Sequence, residues 1–321
     1  MADPRVPSLG IVLATDRYDT IRPVIHRLRR QTIRDRLEIV LVGEAPLAGE
    51  LDAAELDGFA RVHVEVVGSI DPIGPARAAG VRAVRAPLVF IGETHTYADP
   101  QWAENLVKAH EGPWAGVVPG FGNANPVNAL SWSLLLLDYG QWLHLMPSRE
   151  SDIAPTHNGA FRRQVLLDLG ADLDHALHQG DRLTVLLRSA KRRMYFEPAA
   201  RIDHLNVARW KPWLRERYLS GRLLGGRRAE RWSWPRRLVY LLGSPLIPVL
   251  LVMRLRPVLA VARRAGLLPR GTLAALFTAG VVSAVGEMVS YLLGPSADAE
   301  PRMTEYELHK VRYAAPRPAR G

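Results

Sequence analysis

Glu93 and His95 are the residues whose types and spacing first suggest chemistry in this sequence. They stand two positions apart, just after the apolar run at residues 87–91. In an extended segment, side chains two positions apart lie on the same face. A carboxylate oxygen and an imidazole nitrogen would then suit a divalent cation that also binds phosphate oxygens. The alternative is a solvated loop without a ligand, since Glu-x-His triplets are common by chance.

The elements that would position this pair alternate between strand and helix patterns over the first 120 residues. Helix-like stretches separate short β-branched runs, and the runs occupy residues 9–14, 37–42, 62–67 and 87–91. This rhythm predicts βαβ units, a mostly parallel sheet and right-handed crossovers that place helices on both faces.

Polar residues follow each predicted strand, at the edge where such sheets bind ligands. In chain order they are Thr15, Asp16, Glu44, Asp71, Glu93 and His95. The sequence therefore predicts a ligand site at the carboxyl ends of the strands.

Charge is unevenly distributed along the 321 residues. Residues 1–200 carry 21 Lys and Arg against 24 Asp and Glu, a net of −3, whereas residues 201–321 carry 21 against 8, a net of +13. A basic C-terminal third suits anionic lipid head groups or nucleic acid. A merely solvated basic face is the alternative.

Two apolar runs lie within this basic region, at residues 238–253 and 272–293. The first is broken by Pro245 and Pro248, the second contains Glu287, and every flank is basic. A spanning helix needs about 20 apolar residues, and basic flanks on both sides resist translocation. We therefore expect re-entrant or in-plane helices on the cytoplasmic face of a membrane. Lipid is favoured over nucleic acid because the apolar runs adjoin the arginines, and a soluble helical bundle is the alternative.

Composition excludes several classes of site. The sequence has no cysteine, which rules out disulfides, thiolate metal sites and cysteine nucleophiles. It contains no G-x-x-x-x-G-K or G-x-G-x-x-G motif, which argues against P-loop NTPases and simple dinucleotide enzymes. Residues 1–10 lack the apolar segment of a secretory signal, so we expect none.

Six segments resemble glycosyltransferase family 2, in the family's order, over residues 8–206. They are Leu9-Gly-Ile-Val-Leu-Ala-Thr15, Leu28-Arg-Arg-Gln31-Thr32, Glu38-Ile-Val-Leu-Val-Gly-Glu44, Ala76-Arg77-Ala-Ala-Gly80, His157-Asn158-Gly-Ala-Phe-Arg162-Arg163 and Tyr195-Phe-Glu-Pro-Ala-Ala-Arg201-Ile-Asp-His204. The stretch from Gly122 to Gly140 resembles bacterial members with Glu-x-His in place of Asp-x-Asp. The resemblance implies the Rossmann-like GT-A fold at residues 1–208. We place a membrane-associating helical region at 209–300 and a polar, flexible tail at 301–321.

The resemblance implies that Thr15, Asp16 and Glu44 line the nucleoside pocket of a nucleotide-sugar donor. Asp71 would stand beside them, or would simply start a turn as part of an Asp-Pro pair. Arg77 would lie near the diphosphate, with a helix-surface arginine as the alternative.

Metal and sugar roles follow from the same resemblance. Glu93 and His95 would hold Mg²⁺ or Mn²⁺, which would bring Glu93 against the nucleotide sugar. His204 would be a further ligand or a diphosphate contact, unless it is structural. His157 and Asn158 would face the donor sugar or the acceptor.

The catalytic base is where the sequence departs from the family. The acidic pair that the family carries before a helix falls here on Gln179-Gly180, and Asp181 comes one residue later. We name Asp181 first and His178 second, with the helix N-cap as the alternative role of Asp181.

The function implied is inverting transfer from a nucleotide sugar, UDP-linked by expectation, to a hydroxyl of a lipid-linked or cell-envelope acceptor. One alternative is a catalytically degenerate transferase that acts as a membrane scaffold. Another is a metal-dependent nucleotidyltransferase, although no glycine-rich basic loop follows the first strand. Nucleic acid is not expected as a partner, and the sequence does not determine the oligomeric state.

Overall fold

The computed structural model describes residues 6–178 and 180–314, and the chain divides into two compact units. The first, the sheet unit, comprises Met1–Gly122 and His144–His204. The second, the helical unit, comprises Asn123–Leu143 and Leu205–Gly321. Each unit thus takes two separate stretches of chain. The predicted boundary after residue 208 stays a prediction.

The sheet unit is built on a nine-stranded sheet with the order β3-β2-β1-β4-β8-β6-β9-β5, and β7 pairs with β9. The strands are β1 (Leu9–Ala14), β2 (Leu37–Gly43), β3 (Arg61–Val66), β4 (Leu88–Ile91), β5 (Thr96–Ala98), β6 (Gly116–Asn123), β7 (Arg149–Ser151), β8 (Gly159–Arg162) and β9 (Met194–His204).

The sheet is mixed rather than parallel throughout. Strands β1 to β4 are parallel neighbours, as the alternating pattern predicts. Every residue of β1, β2 and β4 is buried, which is why these strands read as continuous apolar runs. The later strands pair antiparallel: β8 with β4 and β6, and β9 with β5 and β7.

Eight helices, α1 to α8, are interspersed with these strands. They are α1 (Tyr18–Leu28), α2 (Ala53–Leu56), α3 (Ile73–Ala83), α4 (Trp102–Ala109), α5 (Ala129–Tyr139), α6 (Arg163–Leu167), α7 (Leu173–Ala176) and α8 (Gly180–Ser189). All of them belong to the sheet unit except α5, which lies in the helical unit.

Glu38 on β2 fixes the start of β4, the strand that delivers Glu93. Its carboxylate is fully buried, accepts the backbone N–H groups of Arg85 and Ala86 at 2.8 Å each, and pairs with Arg61 on β3. A buried carboxylate is tolerated when its lone pairs are satisfied in this way. The contact therefore ties the loop before β4 to β2 and β3.

His110, which follows α4, is a buried neutral imidazole. Its Nδ1 lies 2.8 Å from the carbonyl oxygen of Leu106, and burial lowers the pKa of His110 to about 4. The unfolded chain takes up this proton near pH 6.5. Because the unfolded state then binds more protons, stability is complete above pH 6.5 and falls as the pH drops toward 4.

We expect His110→Gln to remove this acid sensitivity. Between pH 7 and pH 4, the wild-type chain should lose about 3 kcal/mol of unfolding free energy through His110. The variant should lack that component, because glutamine does not titrate. Urea unfolding of both proteins at pH 7 and pH 4.5 measures the difference. Equal losses in the two proteins would contradict the assignment.

The helical unit packs α5 with the six helices that follow the sheet. These are α9 (Trp210–Arg231), α10 (Trp234–Gly243), α11 (Ile247–Arg264), α12 (Thr272–Leu293), α13 (Ala299–Leu308) and α14 (Val311–Ala314). Its core contains side chains of α5, α9, α12 and α13, including Leu134, Trp213, Ala279 and Tyr306.

Glycines allow α9 and α12 to approach closely. A Cβ on Gly221 of α9 would lie 2.1 Å from the carbonyl oxygen of Ser283, and one on Gly286 of α12 would lie 2.4 Å from that of Tyr218. Small residues at such positions let two helix backbones touch. The arginine-rich α9 therefore covers one face of the apolar α12.

Ionic contacts join the same helices. Arg228 of α9 donates to Glu287 of α12 at 2.8 Å, and the Tyr291 hydroxyl donates to the same carboxylate at 2.7 Å. Arg217 of α9 reaches Asp138 of α5 at 3.1 Å. The charge of Glu287, which the sequence sets within an apolar run, is thus neutralised inside the helical unit.

The C-terminal segment differs from the flexible tail that the sequence suggested. Residues 301–314 are largely helical, in α13 and α14, because Tyr306 and Leu308 are buried and the rings of Tyr306 and Tyr313 lie 4.4 Å apart. The polar composition of this segment gave no indication that Tyr306 and Leu308 would be buried. Residues 315–321 lie outside the described part of the chain.

Within the described residues, two helical segments are long and apolar enough to cross a membrane, judged by length and composition alone. They are Trp234–Arg264, with 31 residues, and Thr272–Leu293, with 22 residues. The prolines expected to break the first segment lie in a single 3₁₀ turn (Ser244–Leu246) and at the start of α11, so α10 and α11 continue almost directly. Only 17% of its most apolar window is buried, against 44% for the second.

Candidate functional site

Strand pairing brings Glu93, His95 and His204 together. The chain leaves β4 at Gly92, whose N–H donates to Val12 of β1 at 2.8 Å, and turns through residues 93–95. It then enters β5, where Thr96 is the antiparallel partner of His204 at the end of β9. The register of β5 on β9 therefore brings the imidazole of His204 beside that of His95, although the two residues are 109 positions apart in the sequence.

The three side chains converge through single atoms. Nε2 of His95 and Nε2 of His204 are 3.1 Å apart, and Oε2 of Glu93 lies 3.5 Å from the first nitrogen and 3.6 Å from the second. All three residues are at most 6% exposed. The predicted ligands thus form one buried cluster, the Glu-His-His cluster.

His157 and Asn158 hold the Glu93 carboxylate from its other sides. Nε2 of His157 lies 3.3 Å from Oε1, and the amide nitrogen of Asn158 donates to Oε2. Asn158 directly precedes β8, and its backbone N–H donates to Ile91 of β4 at 2.6 Å. The antiparallel pairing of β4 with β8 thus places this loop against the cluster.

Glu93 is ionised despite its burial. Burial alone would raise the pKa of Glu93, but the positive potential of His157, His95 and His204 lowers that pKa well below its usual range. The carboxylate is therefore available as an anionic ligand at neutral pH.

The cluster fits a divalent metal ion. Two donors that are each about 2.1 Å from one ion, at roughly tetrahedral or right angles, lie about 3.0–3.4 Å apart. The observed separations of 3.1, 3.5 and 3.6 Å are close to this range. Glu93, His95 and His204 could accordingly hold one metal ion.

Two threonines contact the histidines of the site, and the sequence analysis did not assign them a role. Oγ1 of Thr94 lies 3.3 Å from Nδ1 of His95, and Oγ1 of Thr156 lies 3.2 Å from Nδ1 of His157. A hydroxyl at Nδ1 orients the ring and influences which nitrogen carries the proton. The sequence did contain a signal for these contacts, because the dipeptide Thr-His occurs at both positions, Thr94-His95 and Thr156-His157.

The backbone of Asn158 is left-handed, with φ of 53°, a region that asparagine and glycine tolerate best. We expect Asn158→Gly to keep this conformation but to lose the hydrogen bond to Glu93, at a cost of about 1.5–3 kcal/mol. Asn158→Ala should cost about 1–2 kcal/mol more, because alanine also disfavours the conformation. Urea unfolding of the two variants and the wild type measures both steps. Equal stability of the two variants would contradict the backbone argument.

The residues predicted to bind the nucleoside lie along the carboxyl edge of the parallel strands. Thr15 is buried directly after β1, and its N–H donates to Val42 of β2 at 2.9 Å. Asp16 follows it and accepts from Thr20 at 3.2 Å. Glu44 is exposed just after β2, and the exposed Asp71 precedes a cis-proline before α3. Their part in nucleotide binding stays a prediction.

Arg77 and His178 come from segments that pack together. Arg77 lies buried on α3, and its Nη1 donates to the carbonyl oxygen of Leu177 at 3.4 Å. Gly74, one turn earlier, packs so closely that an added Cβ would lie 2.6 Å from the carbonyl oxygen of Asp174 in α7 and 2.4 Å from Cβ of His178, just after α7. The predicted diphosphate contact and one predicted base are therefore structural neighbours.

Asp181 is exposed and is the second residue of α8. It therefore lies inside the first helical turn rather than at the N-cap that we gave as its alternative role. Gln179, onto which the family's acidic pair partly falls, lies outside the described residues. The identity of the base stays a prediction.

Comparison with solved structures identifies the fold. A mannosyltransferase, PcManGT from Pyrobaculum calidifontis in complex with GDP-Man and Mn²⁺, is similar with a TM-score of 0.54 and 17% identity, over 91% of this chain and 89% of that one. The fold is GT-A-like.

Two forms of S. aureus TarS are also similar, at lower scores. TarS 1–349 in complex with UDP matches 90% of this chain and 93% of its own, with 10% identity and a TM-score of 0.46. Another TarS structure matches 59% of this chain, with 11% identity and a TM-score of 0.41, and the present chain spans only 35% of its length. No family model and no curated protein matches the sequence.

Within the GT-A-like fold, the Glu-His-His cluster follows β4, beside the carboxyl ends of the parallel strands. Open α/β sheets bind their ligands at this edge. The cluster, the Thr15 segment of β1 and the Glu44 segment of β2 thus belong to the same edge of the sheet.

Proposed function

We propose that the chain is an inverting glycosyltransferase of family 2 that transfers a sugar from a nucleotide sugar to a hydroxyl group. The observation that carries this proposal is the buried Glu-His-His cluster at the ligand-binding edge of a GT-A-like sheet. A lipid-linked or cell-envelope glycan is the acceptor that we propose, because the helical unit is basic and apolar.

The donor class has support from one relative in structure. The mannosyltransferase of similar fold was solved with GDP-Man and Mn²⁺, and the Glu-His-His cluster of the present chain could hold a metal ion. We favour a UDP-sugar, and a GDP-sugar is the first donor to test beside it.

Each proposed step uses residues of this chain. Asp181, or His178 in its place, takes the proton of the acceptor hydroxyl. The resulting oxygen attacks the anomeric carbon opposite the diphosphate, so the glycosidic bond forms as the bond to the leaving phosphate oxygen breaks, and configuration inverts. Arg77 offsets the charge on the departing diphosphate. A metal ion held by Glu93, His95 and His204 would supply further positive charge there.

Turnover with a panel of nucleotide sugars tests the proposal. Purified full-length protein with Mn²⁺ and membrane lipid extract should release nucleoside diphosphate from one donor in the panel. Release should require lipid extract if the acceptor is lipid-linked. Tight nucleotide binding without turnover of any donor would instead support the degenerate scaffold. Pyrophosphate release from a nucleoside triphosphate and a sugar phosphate would support a nucleotidyltransferase.

We also propose that the helical unit binds the cytoplasmic face of a membrane. Exposed apolar side chains recur along α10, α11 and α12, and those of α12 fall at every fourth position, which is one face of a helix. They include Leu238, Val239, Leu242, Leu246, Val249, Leu250, Met253, Leu273, Phe277, Val281 and Val285. Arginines flank both segments, as suits anionic head groups.

We expect the protein to float with vesicles of phosphatidylcholine and phosphatidylglycerol. Leu242 is 72% exposed and Phe277 is 48% exposed, so glutamate at both should cost about 1.5–3 kcal/mol each and weaken binding more than tenfold. Val185→Glu on α8, where the side chain is 59% exposed, is the matched control and should bind normally. Equal flotation of the double variant and the control would exclude this surface.

A further inference from the structure

We propose that the Glu-His-His cluster selects a first-row transition-metal dication, from Mn²⁺ to Zn²⁺, over Mg²⁺. The inference deepens the proposed function, because it concerns the ion at the same site. It can nevertheless be tested by metal binding alone, without any transfer reaction.

The donor atoms carry the argument. Two of the three convergent atoms are imidazole nitrogens, 3.1 Å apart, and only Glu93 contributes an oxygen. Mg²⁺ is a hard cation that prefers oxygen ligands and keeps several waters. Two histidines with one carboxylate form the donor set of transition-metal sites with open positions. The affinity of such a set rises from Mn²⁺ toward the later metals.

The surroundings favour nitrogen ligation as well. Both imidazoles are almost fully buried, at 1% and 2% exposure, so their ring nitrogens are shielded from bulk water. Thr94 contacts Nδ1 of His95 at 3.3 Å, and an Nδ1–H donated to that hydroxyl leaves Nε2 as the metal-facing lone pair. The carboxylate is meanwhile held by His157 and Asn158.

The test is a metal titration of the full-length protein after chelator treatment. Co²⁺ serves as the probe, because its visible absorption reports nitrogen ligation directly, and Mn²⁺, Zn²⁺ and Mg²⁺ compete against it. All titrations are run with and without UDP. We expect a Co²⁺ spectrum that Zn²⁺ abolishes, that excess Mn²⁺ weakens and that Mg²⁺ at the same excess leaves unchanged.

Substitutions then tie the selection to the cluster. His95→Asp supplies a second carboxylate at the same position, so it should shift the preference toward Mg²⁺ and weaken the Co²⁺ spectrum. His63→Asp is the matched control. His63 and Glu65 on β3 form another histidine and glutamate pair two positions apart, 3.0 Å from each other but about one-third exposed. Circular dichroism confirms that each variant is folded.

Several outcomes would overturn the inference. One is that Mg²⁺ displaces Co²⁺ as effectively as Mn²⁺ does. The others are an unchanged metal preference in His95→Asp, and no ion binding with or without UDP. Selection without turnover of any nucleotide sugar would leave this inference standing and remove the proposed function. Turnover supported equally by Mg²⁺ and Mn²⁺ would do the reverse.

Discussion

Glu93→Gln is expected to abolish sugar transfer while the protein stays folded. Glutamine keeps the size of the side chain but removes the only carboxylate among the three convergent ligands. Charge stabilisation by a metal ion contributes several kcal/mol in the transition state, so kcat/KM should fall by about three orders of magnitude or more. Nucleoside diphosphate release measures this loss, and Co²⁺ absorption measures the accompanying loss of metal affinity.

The control for this substitution lies on β3, the outermost parallel strand, whereas Glu93 follows β4 at the other end of the parallel set. Glu65→Gln on β3 makes the same chemical change beside a histidine, at 3.0 Å, where the carboxylate is partly exposed. Turnover in this variant should match the wild type. Turnover above one-tenth of wild type in Glu93→Gln would remove the cluster from the mechanism.

Gly286→Ala is expected to destabilise the helical unit strongly, because there is no space for the added methyl group. The added carbon would lie 2.4 Å from the carbonyl oxygen of Tyr218 and 2.9 Å from the nitrogen of Arg222, and both are backbone atoms that cannot rotate away. Overpacking of this kind costs about 1–3 kcal/mol or more. Separation of α9 from α12 would also strain the bond from Arg222 to Ser290. A thermal melt in detergent buffer measures the loss.

Gly243→Ala is the matched substitution at a glycine without neighbours. No atom lies within 4 Å of a Cβ added there, and the residue sits in α10 with ordinary helical geometry. Alanine should be neutral or should stabilise the chain by up to about 1 kcal/mol, because it restricts the unfolded state. If both substitutions lowered the melting temperature equally, close packing of α9 on α12 would not be the cause.

The parallel half of the sheet was predictable because three of its four strands, β1, β2 and β4, are buried on both faces. Residues such as Ile11, Val40 and Phe90 form continuous apolar runs that periodicity detects without any knowledge of partners. The three-residue strands β5 and β7 carry no such signal. They exist because β9 supplies a partner, and that pairing is distant in sequence.

The site residues also differ in whether the local sequence predicts them or whether they depend on distant strand pairing. Glu93 and His95 are two positions apart in the sequence, so their shared position could be inferred from spacing. His204 was named only through its place in a family-like motif, and its contact with His95 depends on the pairing of β5 with β9. Nothing local in the sequence reveals that Asn158 turns left-handed to reach Glu93.

The helical unit shows a different limit of sequence reasoning. Composition identified the apolar runs, but not that one face of α12 would be covered by a helix as basic as α9. The glycines at 221 and 286 permit that pairing, and their spacing has meaning only once the partner helix is known. The position of the charged Glu287 within an apolar run is likewise explained only by its ion pair with Arg228.

The chain passes between its two units three times, after residues 122, 143 and 204. The insertion that carries α5 therefore interrupts the sheet unit, and its buried Leu134 belongs to the core of the helical unit. The helical unit therefore cannot be removed whole by truncating the chain at a single point. A gene truncated after residue 208 would still encode α5, deprived of the helices that bury it.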